Sequence, residues 1–356
     1  MLHVTKSFLP DLKEYVSYLE RIWESNHLTN DGPLLRELEL KLREYLQVEH
    51  VIFVTNGTIA LQLALKALQV KGEVITTPFS YCATSNSILW EGSTPVFADI
   101  NPISLTVESA QIRAKLNSQT KAILTTHVYG NAGDLEEQEA LASEYQIPLI
   151  YDGAHGFGVT YKGKSIFNFG TISTCSFHAT KVFHTVEGGA VMTNDAKLAA
   201  KIKELRSFGH KNDDYFSAGI NGKNSEFHAA MGLVNLGHFE DIRNYRKWAC
   251  DLYDHLLQVP GEAIQFNSHI DRNYSYYPVL FPNEASLLKV VNTLNSVQIN
   301  PRRYFYPSLN TLSFVEKQSC PVSEDVALRV LCLPLSAEIK EDEIRLISDL
   351  VNQCFN

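Results

Sequence analysis

The stretch Thr174-Cys175-Ser176-Phe177-His178-Ala179-Thr180-Lys181-Val182-Phe183-His184-Thr185-Val186-Glu187-Gly188-Gly189-Ala190 organises the reading of the whole chain. Its first residues, Thr174 to Phe177, form an apolar, β-branched run that reads as a strand ending near Ser176. Lys181 follows, and Glu187-Gly188-Gly189 turns the chain into a second apolar run, Ala190 to Met192. By composition alone Lys181 is a surface lysine. Its neighbours are Cys, Phe, Ala and Val, with few charges among them. Apolar surroundings lower a lysine pKa, which frees the amine to act as a nucleophile and to shuttle protons.

Working outward, Pro148 to Tyr151 is another strand signal, and it ends in Asp152-Gly153-Ala154-His155. Further apolar runs occur at Val51 to Val54, Val74 to Thr77, Pro95 to Ala98 and Ala122 to Thr126. Helical spacing separates many of them, as with Leu61, Ala64, Leu65 and Leu68. Short apolar strands alternating with helices predict an α/β fold: a mainly parallel seven-stranded sheet covered on both faces. Ligand sites in such sheets gather at the C-terminal ends of the strands, where Asp152 and Ser176 fall. A long helix is expected over Phe239 to Val259, then a strand over Tyr274 to Phe281. Helices follow at Leu287 to Val297 and Lys340 to Cys354, with a strand at Val330 to Leu333 between them. The division expected is therefore a large domain over 1–238 and a smaller α+β domain over 239–356.

Several segments admit a functional and a plain structural reading side by side. Asn56-Gly57-Thr58 follows a strand and opens a helix, so its free amides fit a phosphate or simply an N-capped turn. Tyr81, in Pro78-Phe79-Ser80-Tyr81, is placed to stack on a flat heteroaromatic ring or to fill a loop. Asp152 before glycine is both a turn former and a carboxylate at a functional strand end, with His155 close by. Ser176 can hydrogen-bond a phosphate. Gly219 to Asn224 reads as a polar loop before a helix over Ser225 to Asn235. Pro301-Arg302-Arg303-Tyr304-Phe305-Tyr306-Pro307 sets cations among aromatics, suiting an anionic or planar ligand or an interdomain surface. Together, a strand-end lysine and a strand-end aspartate are the two groups that pyridoxal phosphate needs. The amine takes its aldehyde, and the carboxylate keeps the pyridine nitrogen protonated.

Composition narrows the classes. The chain has 356 residues, 45% hydrophobic and 20% charged, with net charge −9, as for a soluble globular protein with a sizeable core. That charge argues against general affinity for nucleic acid or an anionic membrane. The N-terminus lacks a signal-peptide core, and no apolar stretch approaches a membrane span, so the cytoplasm is the expected location. Six scattered cysteines show no metal-ligand spacing, and no metal is expected. A dinucleotide enzyme is disfavoured because no Gly-x-Gly-x-x-Gly follows the first strand.

In order along the chain, seven motifs resemble the DegT/StrS family of pyridoxal-phosphate-dependent nucleotide-sugar aminotransferases. They are Leu28 to Pro33, Asn56-Gly57-Thr58, Thr77 to Tyr81, His127-Val128-Tyr129-Gly130, Asp152 to His155, Ser176 to Lys181 with Glu187 to Gly189, and Gly219 to Asn221. The resemblance implies a type I aminotransferase fold and a homodimer with active sites shared between subunits. It implies that Lys181 bonds to the cofactor and moves the proton, that Asp152 pairs with the pyridine nitrogen, and that Tyr81 stacks on the ring. His155 would lie near the ring hydroxyl, and Gly57, Thr58 and Ser176 would hold the phosphate, joined by Asn221 from the other subunit. Thr29, Arg302, Tyr304 and Tyr306 are the candidate substrate contacts. The family usually has an arginine two residues after the asparagine; here it is Lys223. L-glutamate would be the amino donor. Ser-Phe-His-x-x-Lys followed by Glu-Gly-Gly resembles members acting on 4-keto sugars. The acceptor implied is a dTDP-4-keto-6-deoxyhexose, giving a 4-amino-4,6-dideoxy sugar for surface polysaccharide such as lipopolysaccharide O-antigen. A 3-keto, UDP- or GDP-linked acceptor and a non-catalytic cofactor-binding regulator are the alternatives. A dehydrating sister branch lacks the lysine.

Overall fold

The computed structural model describes residues 1–260 and 263–355. Its main sheet has seven strands: β1 (His50–Val54), β2 (Glu73–Thr76), β3 (Thr94–Phe97), β4 (Thr120–Thr126), β5 (Leu149–Asp152), β6 (Ile172–Ser176) and β7 (Gly189–Thr193). The seven apolar runs of the sequence are these seven strands. Their order across the sheet is β1-β7-β6-β5-β4-β2-β3. Neighbours pair in parallel except at β7, which runs antiparallel to both β1 and β6. Strands β1 to β6 therefore all end on one side of the sheet, and β7 begins there.

Helices bury both faces. Chief among them are α1 (Pro33–Leu46), α2 (Gly57–Ala67), α3 (Ala83–Trp90) and α4 (Glu226–Gly237). Alternation along β1 sends Phe53 to a core shared with Leu38, Leu42 and Ala230, while Ile52 and Val54 join Ala60, Leu61 and Ala64 on the opposite face. Helix α2 starts abruptly after β1 because Asn56, in extended backbone, accepts a hydrogen bond from the Ile59 N–H at 2.9 Å.

The second unit contains α5 (Phe239–Leu256), α6 (Glu284–Ser296) and α7 (Glu341–Asn352) around the antiparallel pair β8 (Tyr277–Leu280) and β9 (Val330–Leu333). Tyr253, Leu287, Val290, Ile344 and Ile347 pack with Leu331 and Leu333 in one core. Strand β8 is shorter than the alternation of Tyr274 to Phe281 predicts. Tyr274 lies at φ +54, and the buried Arg246 guanidinium takes the carbonyls of Tyr274 (2.8 Å) and Ser275 (2.6 Å). Those carbonyls are withdrawn from the ladder, so pairing begins at Tyr277. Contacts cross between the two parts of the chain: Leu2–His3 pairs with Ile299–Asn300, and Ile270–Asp271 pairs with Thr160–Tyr161. No helix among the described residues is long and apolar enough to cross a membrane.

One carboxylate anchors the entry to the large sheet's helical layer. Glu226, buried in the first turn of α4, accepts hydrogen bonds from the N–H groups of Leu34 (2.7 Å) and Leu35 (2.9 Å) at the start of α1. Both amides are orphans of the helix end and have no water to turn to. Glu226→Ala is expected to lower stability by roughly 2–3 kcal/mol in urea unfolding, with Glu226→Gln losing less because one acceptor remains.

Candidate active site

The ends of the parallel strands surround a cavity of about 530 Å³. Gly57, Thr58, Tyr81, Asp152, His155, Ser176, Lys181, Arg302 and Tyr304 all line it. Residues from five separate sequence motifs are thus brought together. Those from the seven-stranded sheet sit at or just after the end of a strand: Gly57 after β1, Tyr81 after β2, Asp152 at the last position of β5 and Ser176 at the last of β6.

Asp152 is 5% exposed. Its Oδ2 accepts a hydrogen bond from the Thr84 hydroxyl at 2.7 Å, and its Oδ1 accepts one from the Ala154 N–H at 3.1 Å. Burial pushes the carboxyl above its ordinary value, while Thr84, Ala154 and the Lys181 charge each pull it back. Lys181 sits in a tight turn held by its own N–H bonding to the His178 carbonyl at 2.9 Å. Among the described residues its amine has no hydrogen-bonding or ion-pairing partner, and it lies 6.0 Å from the centre of the Tyr276 ring. Burial lowers its pKa, and Asp152 opposes that shift. Burial thus works against the charged form of both groups, and the charge of each restrains the shift of the other.

His155 is buried against Phe305, ring on ring at 5.6 Å and 9°. Its Nδ1 accepts the Tyr129 N–H at 3.1 Å, which leaves the proton of the neutral ring on Nε2. Burial, with the Lys181 charge added, holds it well below the usual histidine range, so the ring is neutral near pH 7.

The turn after β1 is pressed against β6 and β7. A Cβ on Gly57 would lie 2.9 Å from the Ser176 Cβ, and one on Gly189 would lie 2.6 Å from the Asn56 carbonyl carbon. Only hydrogen side chains let these backbones meet. Thr55 N–H bonds to the Gly222 carbonyl at 3.0 Å, tying the same turn to the polar loop before α4.

Three candidate residues do not line this cavity. Asn221 is exposed and accepts a hydrogen bond from the Lys223 amine at 2.8 Å, with that amine 4.7 Å over the Phe208 ring. Thr29 donates to the Asn224 carbonyl at 3.4 Å. Tyr306 carries the Arg303 guanidinium 3.6 Å over its ring and lines an adjoining cavity of about 650 Å³. Tyr81, Arg302 and Tyr304 lie on the border of both cavities.

No functional signal in the sequence marks Thr84, Thr126 or Tyr276, and Ser80 and Phe305 stand there only inside the longer segments Thr77 to Tyr81 and Pro301 to Pro307. Threonine and serine near a helix start carry only a capping signal, and Tyr276 was legible only as one residue of an alternating run. No group of three or more His, Cys, Asp or Glu side chains able to hold a metal occurs among the described residues.

A three-layer α/β architecture with a lysine and an aspartate lining one cavity at the strand ends defines the class: an enzyme of amino-group chemistry. The chain matches the model of the DegT/DnrJ/EryC1/StrS aminotransferase family over residues 11–352. It belongs to that family and is an aminotransferase. A relative from Shigella dysenteriae, the dTDP-4-amino-4,6-dideoxy-D-glucose transaminase, is 39% identical over 99% of this chain and 98% of its own length. The UDP-2-acetamido-2-deoxy-3-oxo-D-glucuronate aminotransferase of Pseudomonas aeruginosa is 33% identical over 89% of each chain. Among solved structures, DesI in the presence of its TDP-sugar product superposes with a TM-score of 0.94 at 33% identity, over 99% of this chain and 92% of that one. The type I aminotransferase fold implied by the sequence motifs is the fold of this chain.

Gly189→Ala tests the close approach of β7 to the turn at Asn56. The added methyl must displace that turn, so binding of phosphate-bearing ligands to the cavity should weaken about tenfold or more while the fold persists. Calorimetric titration with pyridoxal phosphate beside a thermal melt separates the two effects.

Proposed function

We propose that the chain transfers the amino group of L-glutamate to the C4 ketone of a dTDP-4-keto-6-deoxyhexose, with dTDP-4-keto-6-deoxy-D-glucose as the first substrate to test. The products are 2-oxoglutarate and a 4-amino-4,6-dideoxy sugar nucleotide, destined for surface polysaccharide such as O-antigen. The carrying observation is the 39% identity, over nearly the full length of both chains, to a transaminase named for that amino sugar. Cytoplasmic location, the division into domains at 238/239 and a homodimer with shared sites belong to the same proposal. In the homodimer Asn221, outside the cavity of its own chain, would reach the cavity of the other.

The cavity fits pyridoxal phosphate on its own chemistry. Lys181 offers an amine with no hydrogen-bonding or ion-pairing partner among the described residues, Asp152 an enclosed carboxylate, and the glycine at 57 leaves room where a Cβ would fill the space beside Ser176. The cofactor supplies, when bound, an aldehyde that carries the amino group and a ring that accepts electrons from the neighbouring carbon. The amides after Asn56, at the N-terminus of α2, would hold the phosphate with the hydroxyls of Thr58 and Ser176. Asp152 would keep a proton on the pyridine nitrogen, and Tyr81 would cover the ring. His155, with its proton on Nε2, would donate toward the ring hydroxyl. Lys181 Nζ, its pKa lowered by burial, would as the free amine accept a proton from the carbon bearing the donor amine and return it to the sugar carbon in the second half. Arg302, Tyr304 and Tyr306, with Thr29, would meet the sugar nucleotide.

The test is turnover with keto sugars offered side by side: dTDP-4-keto-6-deoxy-D-glucose, a UDP- or GDP-linked 4-keto sugar and a 3-keto isomer. Mass spectrometry should find the amino sugar from the first. Aminated product from only a 3-keto or UDP-linked sugar would overturn the choice and favour chemistry like that of the Pseudomonas relative. With pyridoxal phosphate and L-glutamate, Lys181→Ala should lose at least about a hundredfold in turnover. The visible band of the wild type should disappear when glutamate is added. A band unchanged by glutamate, with no product, would point to a cofactor-binding regulator instead.

A further inference from the structure

Behind Asp152 lies a row of buried hydroxyls that the proposed chemistry does not use. The Thr84 hydroxyl is 2.7 Å from Asp152 Oδ2, Ser80 Oγ is 2.7 Å from Thr84 Oγ1, and Thr126 Oγ1 is 3.1 Å from Ser80 Oγ. All four residues are buried, and they come from three places: the end of β4, the segment after β2 leading into α3, and the end of β5. An ionised carboxylate only accepts, so Thr84 must spend its one proton on Asp152. Its oxygen is then free to accept from Ser80, and Ser80 in turn accepts from Thr126. The charge at one end fixes the direction of every bond, and each donor polarises the next.

We infer that Thr84 is a positioning residue for Asp152, and that the row Thr126–Ser80–Thr84 keeps that carboxylate charged and aimed at the pyridine nitrogen of the bound cofactor. This rests on the proposed role of pyridoxal phosphate. The other groups facing Asp152 are few. Lys181 supplies the positive charge, Ala154 a backbone N–H, and Cys175 a thiol whose pKa burial pushes up. His127, whose backbone N–H bonds the Asp152 carbonyl at 3.0 Å, and His155 are both held neutral by burial. Thr84 is thus one of two direct hydrogen-bond donors to the carboxylate among the described residues, and the one made by a side chain.

The experiment measures the dissociation constant of pyridoxal phosphate for the apoenzyme by calorimetric titration across pH, beside a thermal melt of each apoprotein. Thr84→Val keeps the shape and removes the donor; Thr84→Ser keeps the donor. Losing a hydrogen bond to a charged group should weaken binding by about tenfold to a hundredfold in Thr84→Val, with Thr84→Ser within about threefold of wild type. The pH profile carries the sign. Asp152 loses its charge as pH falls through its pKa, and removing a donor raises that pKa. Affinity should therefore begin to fall at a higher pH in Thr84→Val than in wild type. A packing defect would instead lower affinity equally at every pH. Should Thr84→Val fail to fold, Ser80→Ala, which leaves the Thr84 bond but removes the donor behind it, should still weaken binding about threefold and shift the profile the same way. Unchanged affinity and pH profile in the folded variant, or failure of Thr84→Ser to restore binding, overturns the inference. A wild type that binds no pyridoxal phosphate overturns the proposed function, and the inference with it.

Discussion

The site depends on placing a carboxylate and an amine of opposed tendencies in one enclosed space. Burial raises the pKa of Asp152 and lowers that of Lys181, and each shift is restrained by the charge of the other group. The balance is what amino-group chemistry requires: an amine that can be free base near neutral pH, and a carboxylate that remains an anion. In open water the carboxylate is an anion but the amine is a cation, and burial, which favours the free amine, works against the anion unless hydrogen bonds support it. The surrounding structure supplies that support, from the Ala154 amide and from Thr84.

The sheet is the device that makes such support possible. Because β1 to β6 all end on the same side, residues far apart in sequence arrive within one small volume without any loop having to be long. The single reversed strand, β7, adds to this. Its first residue, Gly189, lies in register with both Val54 and Ser176, so the Glu187-Gly188-Gly189 turn closes the site between β1 and β6. A side chain at Gly189 would strike the backbone of Asn56, and the tightness of that contact is the physical reason for glycine there.

Much of this was legible in the amino-acid sequence. Continuous β-branched runs with helical spacing between them have few alternatives to a parallel sheet buried on both faces, and each run proved to be a strand. Gly57, Asp152, Ser176 and Lys181 each admitted a plain structural reading, and stood out through their combination: a strand-end lysine and a strand-end aspartate together, within motifs in one order along the chain. Ends of elements were less legible. Strand β8 begins later than its alternation suggests because a distant arginine, Arg246, claims two carbonyls, and nothing in the local pattern of Tyr274 to Phe281 reveals that. The hydroxyl row was hidden for a related reason. Ser80, Thr84 and Thr126 are ordinary strand-end and helix-start residues until folding sets them against a buried charge.

The exposure of Tyr81 follows from the same logic that buries Asp152. The tyrosine is 60% exposed in the protein alone, although it borders two cavities. A large aromatic left open to water loses the favourable term that its burial would supply, roughly 2 kcal/mol for a ring of this size. A planar ligand laid between Tyr81 and the floor of the cavity would recover part of that term and so convert exposed surface into binding energy. The carboxylate, by contrast, must be enclosed beforehand, because ordering and desolvating a charge at the moment of binding would offset the gain. Rigid, buried polar groups below and an open ring above are two halves of one arrangement: the first fixes where charge sits, and the second lets a flat ligand enter.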